Sequence, residues 1–570
     1  MHIDRLRISN FRNLADVDMQ LQPNSVIVGE NRAGKSNLLH ALRLVLDPAL
    51  PNSDRRLRRE DFWDGLTDGS DGWDPMADGE TIEIAVEFSD FDDQPATLAA
   101  LADALITGTP MRARLTYRWE PKDDEQDGGG YRWIIFGGDD EANRIGDDLR
   151  QYLYVSYLHA LRDVEQDIRG WRRSPLRALL ETAAEAAADE DLDDVRAAMT
   201  AANDKLNELD SIAQLGKEIG ERTVDMVGAD HALQTRLGVA PPDPLRLIRS
   251  MQIMVDGDAN RQLQTASLGT LNVLYLTLLE LGLEGRLAGG DIAHVLLAVE
   301  EPEAHLHPHL QRLLFRRLFT DSSESRTVVV TTHSPHIASV APPESLVVLR
   351  RSGDRTIARS AATLELTDDE WNDLGRYLDA TRAELVFARR VLLVEGYAEQ
   401  VLLPVLASSI GHDLDKLGIT VCAIHGTHFI TYVQFCDTLG IPVAVITDGD
   451  PDSRGSAGER RATKIADRRT VAGDPNDGIF VGTHTFEYDL LSVSDDNRAE
   501  CLATLMDLCG RRSRGIVQGW IDDDIVPATD DYLDMIDNAG GKGRYGQRLA
   551  ERELDTPTYI SDAIEYLAGR

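Results

Sequence analysis

A chain of 570 residues, 42% hydrophobic and 27% charged, holds about three to four domains' worth of globular sequence and is no single small binding module. Its formal net charge of -38 excludes a protein that coats nucleic acid indiscriminately, because the summed field repels phosphates at long range. No run reaches the roughly 18 uncharged apolar residues of a membrane helix, and Val273 to Leu283, the nearest, is short and interrupted by Glu280, so no membrane association is expected. The start, with Asp4, Arg5 and Arg7 among Ile3, Leu6 and Ile8, has a strand pattern and no signal-peptide core. The cysteines at 422, 436, 501 and 509 match no zinc or CxxC template and read as ordinary thiols of a reducing cytoplasm.

Along residues 1 to about 160, Ser25 to Val28, Thr81 to Phe88, Arg112 to Trp119 and Tyr131 to Phe136 predict strands, separated by acidic, glycine-rich loops at 64–80 and 122–130. From Leu176 to Met226 proline is absent, and Leu192, Val195, Met199, Ala202, Leu206 and Leu209 recur at helical spacing. That stripe is either packed within the chain or carried on an arm that pairs with a second subunit. Strand and helix alternation returns over 241–350, with buried strands expected at His294 to Val299 and Thr327 to Thr331. The expected organisation is therefore a first body over 1–165 and 241–350, interrupted by a helical insertion at 166–240, then a linker at 351–384 and a second α/β body at 385–570 with helical C-terminal additions. Three basic clusters, Arg55 to Arg59, Arg460 to Arg469 and Arg511 to Arg514, are either solvated faces or parts of a local nucleic-acid channel.

Gly29-Glu-Asn-Arg-Ala-Gly34-Lys35-Ser36 fits GxxxxGK[ST], with a strand before it and an apolar helix after it. Glycines let the backbone N–H groups and the helix N-terminus face phosphate oxygens, Lys35 adds a positive charge, and Ser36 offers a hydroxyl to magnesium. Asn31, Gly34, Lys35 and Ser36 are thus expected to hold ATP. The run His294 to Val299 ends in Glu300-Glu301-Pro302-Glu303, which places Glu300 over magnesium and gives Glu301 the task of polarising water. Glu300 stands where an aspartate is more usual. One strand and helix later, Val328-Val-Val-Thr-Thr332-His333 ends in a histidine placed like the switch histidine of ABC-type ATPases, a resemblance that implies sensing of the γ-phosphate. The same resemblance implies a serine-containing signature that completes a partner's ATP site, for which Ser267 and Gly269, in Thr265-Ala-Ser267-Leu-Gly269 ahead of an apolar helix, are the candidates.

In the second body, Arg390 to Val394 leads into Glu395-Gly-Tyr-Ala-Glu399, and Val443 to Thr447 leads into Asp448-Gly-Asp450. Two adjacent parallel strands ending this way bring Glu395, Asp448 and Asp450 to one rim of a sheet, the i, i+2 spacing aiming both aspartates at one face. Carboxylate oxygens are the donors that magnesium and manganese prefer.

These residues resemble the Toprim domain shared by topoisomerases, primases and OLD nucleases. Together with the P-loop, the Glu300 to Pro308 run and the Thr331 to Pro335 strand end, the order resembles the OLD nuclease family, Gabija-type members included. The resemblance implies an α/β fold with an ABC-type ATPase head, a helical insertion and a Toprim domain. It implies metal binding by Glu395, Glu399, Asp448 and Asp450, with Glu487 as a further acid and Lys542 as a catalytic lysine. Two Mg2+ or Mn2+ ions about 4 Å apart would then cleave a phosphodiester while a third accompanies ATP. DNA is the expected substrate, with an RNA-cleaving nuclease and a RecF- or SMC-type ATPase without cleavage as the competing readings. A homodimer or larger assembly, a separate UvrD-like helicase partner and a role in anti-phage defence are implied by resemblance alone.

Overall fold

Valine-rich runs such as Val26-Ile27-Val28 and Val328-Val329-Val330 are buried throughout, the signature of parallel strands covered on both faces. The computed structural model describes residues 1–569 apart from 68, 71, 123–129, 160–174, 228–236, 238–242, 256–260, 264–265, 305, 321–324, 379–381, 454 and 470–472. Two units result, Met1–Ala160 with Ile292–Arg570, and Leu161–Asp291. The fold class is the expected one, α/β.

In the first unit one sheet runs Arg355–Ser360, Leu346–Ser352, Asn24–Gly29, Arg326–Thr332, His294–Glu300, Leu153–Leu158 in spatial order. All its neighbours are parallel except the edge strand Arg355–Ser360, which pairs antiparallel with Leu346–Ser352. The P-loop strand Asn24–Gly29 is therefore central, between Arg326–Thr332 and Leu346–Ser352. The helix behind it, Lys35–Leu46, buries Leu38, Leu39, Leu42 and Val45 in a core shared with a second, antiparallel sheet built on His2–Phe11, Ile82–Ser89 and Arg112–Pro121. Residues 351–384, expected as a linker, are instead integral to this unit. They supply the edge strand and the helix Asp368–Tyr377, whose start is fixed by a reciprocal box between Thr367 and Glu370.

The rest of this unit carries a four-stranded, all-parallel sheet in the order Ile419–Ala423, Arg390–Val394, Val443–Thr447, Ile479–Val481. Leu393 lies opposite Val445, so Glu395 falls abreast of Thr447 at the carboxyl edge, where open α/β sheets bind their ligands. Helices Phe486–Ser492, Lys542–Leu549 and Thr558–Ala568 pack on the same core. Lys542–Leu549 approaches Tyr397–Ser409 closely because Gly546 has no side chain: a Cβ there would lie 3.1 Å from Ala398 Cα.

The second unit is helical, with Pro175–Glu185, Asp189–Asn207, Asp210–Val227, Pro244–Arg249 and Leu268–Ala288. It extends past the expected end at residue 240 because Leu268–Ala288 packs on Pro175–Glu185. Asp189–Asn207 buries none of its residues, and Val195, Leu206, Leu209, Leu215 and Ile219 of the stripe and the following helix are exposed. Among the described residues no helix is long and apolar enough to cross a membrane.

Candidate functional site

Gly34 adopts φ +95°, a left-handed conformation that suits glycine, and a side chain there would collide with Asn13. The turn it allows starts the helix at Lys35, whose Nζ donates to the carbonyls of Gly29 (3.0 Å) and Glu30 (3.3 Å). His333 Nε2 lies 2.6 Å from Lys35 Nζ and 3.1 Å from Glu301 Oε1, so lysine, histidine and glutamate meet at one point. Burial holds Lys35 below its ordinary pKa, while the carboxylates of Glu301, Glu303 and Glu300 oppose that shift. Ser36 Oγ donates to Glu300 Oε1, and Glu300 Oε2 accepts from Tyr157 OH at 2.8 Å.

Glu301 stands at φ +42°, a strained conformation for a side-chain-bearing residue, with its N–H bonded to Thr331 O at 2.9 Å. That turn, rather than strand alternation, separates it from Glu300. Sequence reasoning missed Glu303 and Gln311. Glu303 Oε1 accepts from His333 N at 2.6 Å, and buried Gln311 donates to Leu306 O (2.9 Å) and accepts from Ser334 Oγ (2.6 Å), clamping the acid loop to the histidine loop. The ring of His305 lies outside the described residues. Ser267 caps the helix Leu268–Ala288 by accepting from Thr270 N at 3.2 Å, with Gly269 in its first turn.

At the other sheet, Glu395 Oε1 accepts from Thr447 Oγ1 (2.6 Å) and from Asp448 N (3.0 Å), which ties the two strand ends together. Asp448 is 8% exposed, and its Oδ1 accepts from Phe486 N (2.9 Å), drawing in the helix that carries Glu487. Glu487, 1% exposed, accepts from Lys542 Nζ at 2.8 Å. Burial, then repulsion from Glu395, Glu487 and Glu399, pushes the Asp448 carboxyl up to about 9. Burial likewise pushes Glu399 up to about 7, with Glu487 and Glu395 adding to it. Burial works against the charge of Lys542, but Glu487, Asp448 and Glu399 outweigh it and hold the ammonium above its ordinary pKa.

Asp450 departs from expectation. The strand ends at Thr447 and Asp450 turns to φ +43°, so alternation no longer governs its direction. Its side chain is 41% exposed and bonds Arg461 Nη2 at 2.7 Å. Arg461, Asp489 and Tyr559 were not singled out from the sequence as members of this site. Asp489 accepts from the N–H groups of Thr483 (2.9 Å) and His484 (3.0 Å), and burial raises its pKa. The hydroxyl of Tyr559 is buried with no hydrogen-bond partner, near Asp489, Asp448, Glu399 and Glu487.

The donor set fits a divalent cation: clustered hard oxygens, two of the carboxyls raised in pKa by burial and mutual repulsion, and an orphaned hydroxyl beside them. Among the described residues no group of three or more acidic, histidine or cysteine side chains is placed to hold a metal ion as it stands, so occupancy would require these carboxylates to shift. The first turn of the helix Ala457–Arg468 that frames them is sterically tight. An alanine at Gly458 would press its Cβ onto the Asp448 carbonyl and to 2.6 Å from Val481 Cγ1. Gly458→Ala is expected to lower unfolding free energy by roughly 1–3 kcal/mol, read by urea titration.

Residues 386–450 match the family description "Overcoming lysogenization defect protein-like, TOPRIM domain", residues 1–127 match "AAA ATPase domain", and 131–339 match "AAA domain, putative AbiEii toxin, Type IV TA system". The chain is 29% identical over 461 residues to the OLD nuclease of Thermus scotoductus, covering 79% of this chain and 82% of that one. It is 23% identical to Endonuclease GajA of Bacillus cereus strain VD045, covering 80% of this chain and 76% of the relative. The C-terminal region of the Xanthomonas campestris OLD protein is 30% identical at a TM-score of 0.28, covering 32% of this chain and 95% of that structure.

Proposed function

This chain belongs to the OLD family, and from that premise we propose that it is an ATP-binding, divalent-cation-dependent nuclease that cuts DNA. One observation carries the reading: Glu395, Glu399, Asp448 and Glu487, from two strand ends and two helices, gather at one edge of the sheet beside Lys542. Mg2+ or Mn2+ held there supplies Lewis acidity and an activated water for phosphodiester hydrolysis. The proposal extends to two ions at these carboxylates and Asp450, and one with ATP, where Ser36 and Glu300 would hold it. Lys542, already charged beside Glu487, offsets the negative charge that builds on the phosphate. At the head, Asn31, Gly34 and Lys35 grip the phosphates, Glu301 takes up the proton of the attacking water, and His333 relays the presence of the γ-phosphate. Glu303 and Gln311 hold that histidine in place.

We assign the head to residues 1–160 and 292–384, the Toprim body to 385–570 and the helical unit to 161–291. The exposed apolar stripe of that unit supports pairing with a second copy, and Ser267 and Gly269 are proposed to complete a partner's nucleotide site. Anti-phage defence or DNA processing, with a UvrD-like helicase as partner, rests on family resemblance and completes the proposal. The test is incubation of the full chain with supercoiled DNA, linear DNA and RNA, with Mg2+, Mn2+ or EDTA. Nicking of DNA only with a divalent ion is expected, preferential RNA cleavage would change the substrate, and no cleavage of either would leave an ATPase alone.

A further inference from the structure

The segment after Asp448 doubles back on itself. Ser456 Oγ (2.7 Å) and Gly458 N (3.0 Å) both donate to Gly449 O, and Ser456 caps the helix Ala457–Arg468 by accepting from Glu459 N. This closure delivers the second turn of that helix to the carboxylates. Arg461 Nη1 lies 3.1 Å from Glu395 Oε1, its Nη2 lies 2.7 Å from Asp450 Oδ2, and the same Nη2 donates to Asp448 O at 2.9 Å. Its Nε is buried without a hydrogen-bond partner, a cost the fold accepts to keep the guanidinium there.

We infer that Arg461 is a positioning residue of the cleavage site, gripping Glu395 and Asp450 by one oxygen each and thereby presenting the other oxygen of each to the divalent cation. The inference rests on the proposed metal-dependent nuclease. A planar guanidinium has two amino groups set at a fixed angle, so it can span two carboxylates that an ammonium can only touch one at a time. It brings Asp450, which the end of the strand would otherwise release to solvent, back to the Glu395 side. Its charge also offsets part of the repulsion that gathering carboxylates creates.

Binding of Mn2+ to the full chain without nucleotide, measured by calorimetry and by the Mn2+ resonance signal, tests this in wild type, Arg461→Gln, Arg461→Lys and Glu395→Gln. Residues that orient metal ligands typically matter by about 10–100-fold in affinity. Arg461→Gln is expected to weaken Mn2+ by that factor, with Arg461→Lys recovering part of the loss and Glu395→Gln losing the site. Should Arg461→Gln bind Mn2+ as tightly as wild type, or more tightly, while Glu395→Gln loses it, Arg461 is no positioning residue and the nuclease reading survives. Should Glu395→Gln also bind normally, the metal site itself is misassigned. Arg461→Lys keeps the charge and the stem, so if Arg461→Gln does not fold, an unchanged affinity in Arg461→Lys overturns the inference by itself.

Discussion

Asp448→Asn is expected to melt at a higher temperature than wild type in EDTA at pH 8 and, with Mg2+ or Mn2+ present, to cut DNA about a thousandfold more slowly. Both effects come from one carboxyl. Its folded pKa of about 9 lies above its unfolded value near 4, so in that window the native chain keeps a proton that the unfolded chain has released. Stability from this group is therefore whole below the unfolded value and falls as pH rises toward the folded one. Glu399, at about 7, adds the same slope over the lower part of the range. Asparagine removes the ionisation yet keeps an oxygen for the Phe486 N–H, so the helix bearing Glu487 stays attached. A gain on the order of a few kcal/mol is expected at pH 8, roughly 5–10 °C in melting midpoint, shrinking toward pH 5.

A divalent ion reverses the order. It favours the ionised carboxylates, so saturating Mn2+ stabilises wild type and flattens its dependence on pH, while the asparagine variant gains little. Losing a ligand that supports several kcal/mol of charge stabilisation is what slows cleavage by about three orders of magnitude. Calorimetric melts between pH 5 and 9, with and without Mn2+, read the first effect, and plasmid nicking reads the second. A variant no more stable than wild type at pH 8 in EDTA would mean that Asp448 does not sit in a repelling cluster. A variant that nicks at the wild-type rate would remove Asp448 from the chemistry.

Much of this site was legible because its acids follow immediately on apolar strands. Arg390 to Val394 and Val443 to Thr447 could only be buried strands, and pairing them side by side fixes Glu395 beside Asp448. The P-loop was legible for the same reason, strand and helix flanking the glycines. What stayed hidden depends on chain reversals that no local pattern encodes. Arg461 read as one member of the basic cluster Arg460 to Arg469, and only the turn back through Ser456 and Gly458 puts it on Glu395. Tyr559, in the last helix, reaches the carboxylates only because that helix packs on the Val443–Thr447 strand. Residues 351–384 looked like a tether because their strand is short and polar, although the Thr367 and Glu370 spacing marks a helix start. Asp450 shows the converse, where a period-two argument was carried past the strand that justified it.

Glu301→Gln is the second variant with a large expected effect: ATP turnover falls roughly 100- to 10,000-fold, the usual contribution of a general base, while ATP binding is retained. Binding survives because Lys35, Ser36 and the P-loop backbone are untouched, and the amide still fits the turn that places residue 301 beside His333. If nucleotide state governs cleavage, the path begins at the P-loop. Arg389, immediately before the strand that leads into Glu395, grips Glu30 of that loop through Nε (2.6 Å) and Nη2 (3.4 Å), and Arg350 Nη1 holds Arg389 O at 2.9 Å. The variant should therefore keep, over an hour, the change in nicking rate that ATP produces in wild type only until it is consumed. The side chains of Arg389 and Glu30 are 64% and 53% exposed, so their link is worth at most about 1 kcal/mol, and Arg389→Ala should alter the ATP effect by no more than about fivefold. Phosphate release and nicking followed in the same tubes decide it. Wild-type turnover in Glu301→Gln would move the base elsewhere, and nicking indifferent to ATP in both proteins would uncouple the head from the Toprim body.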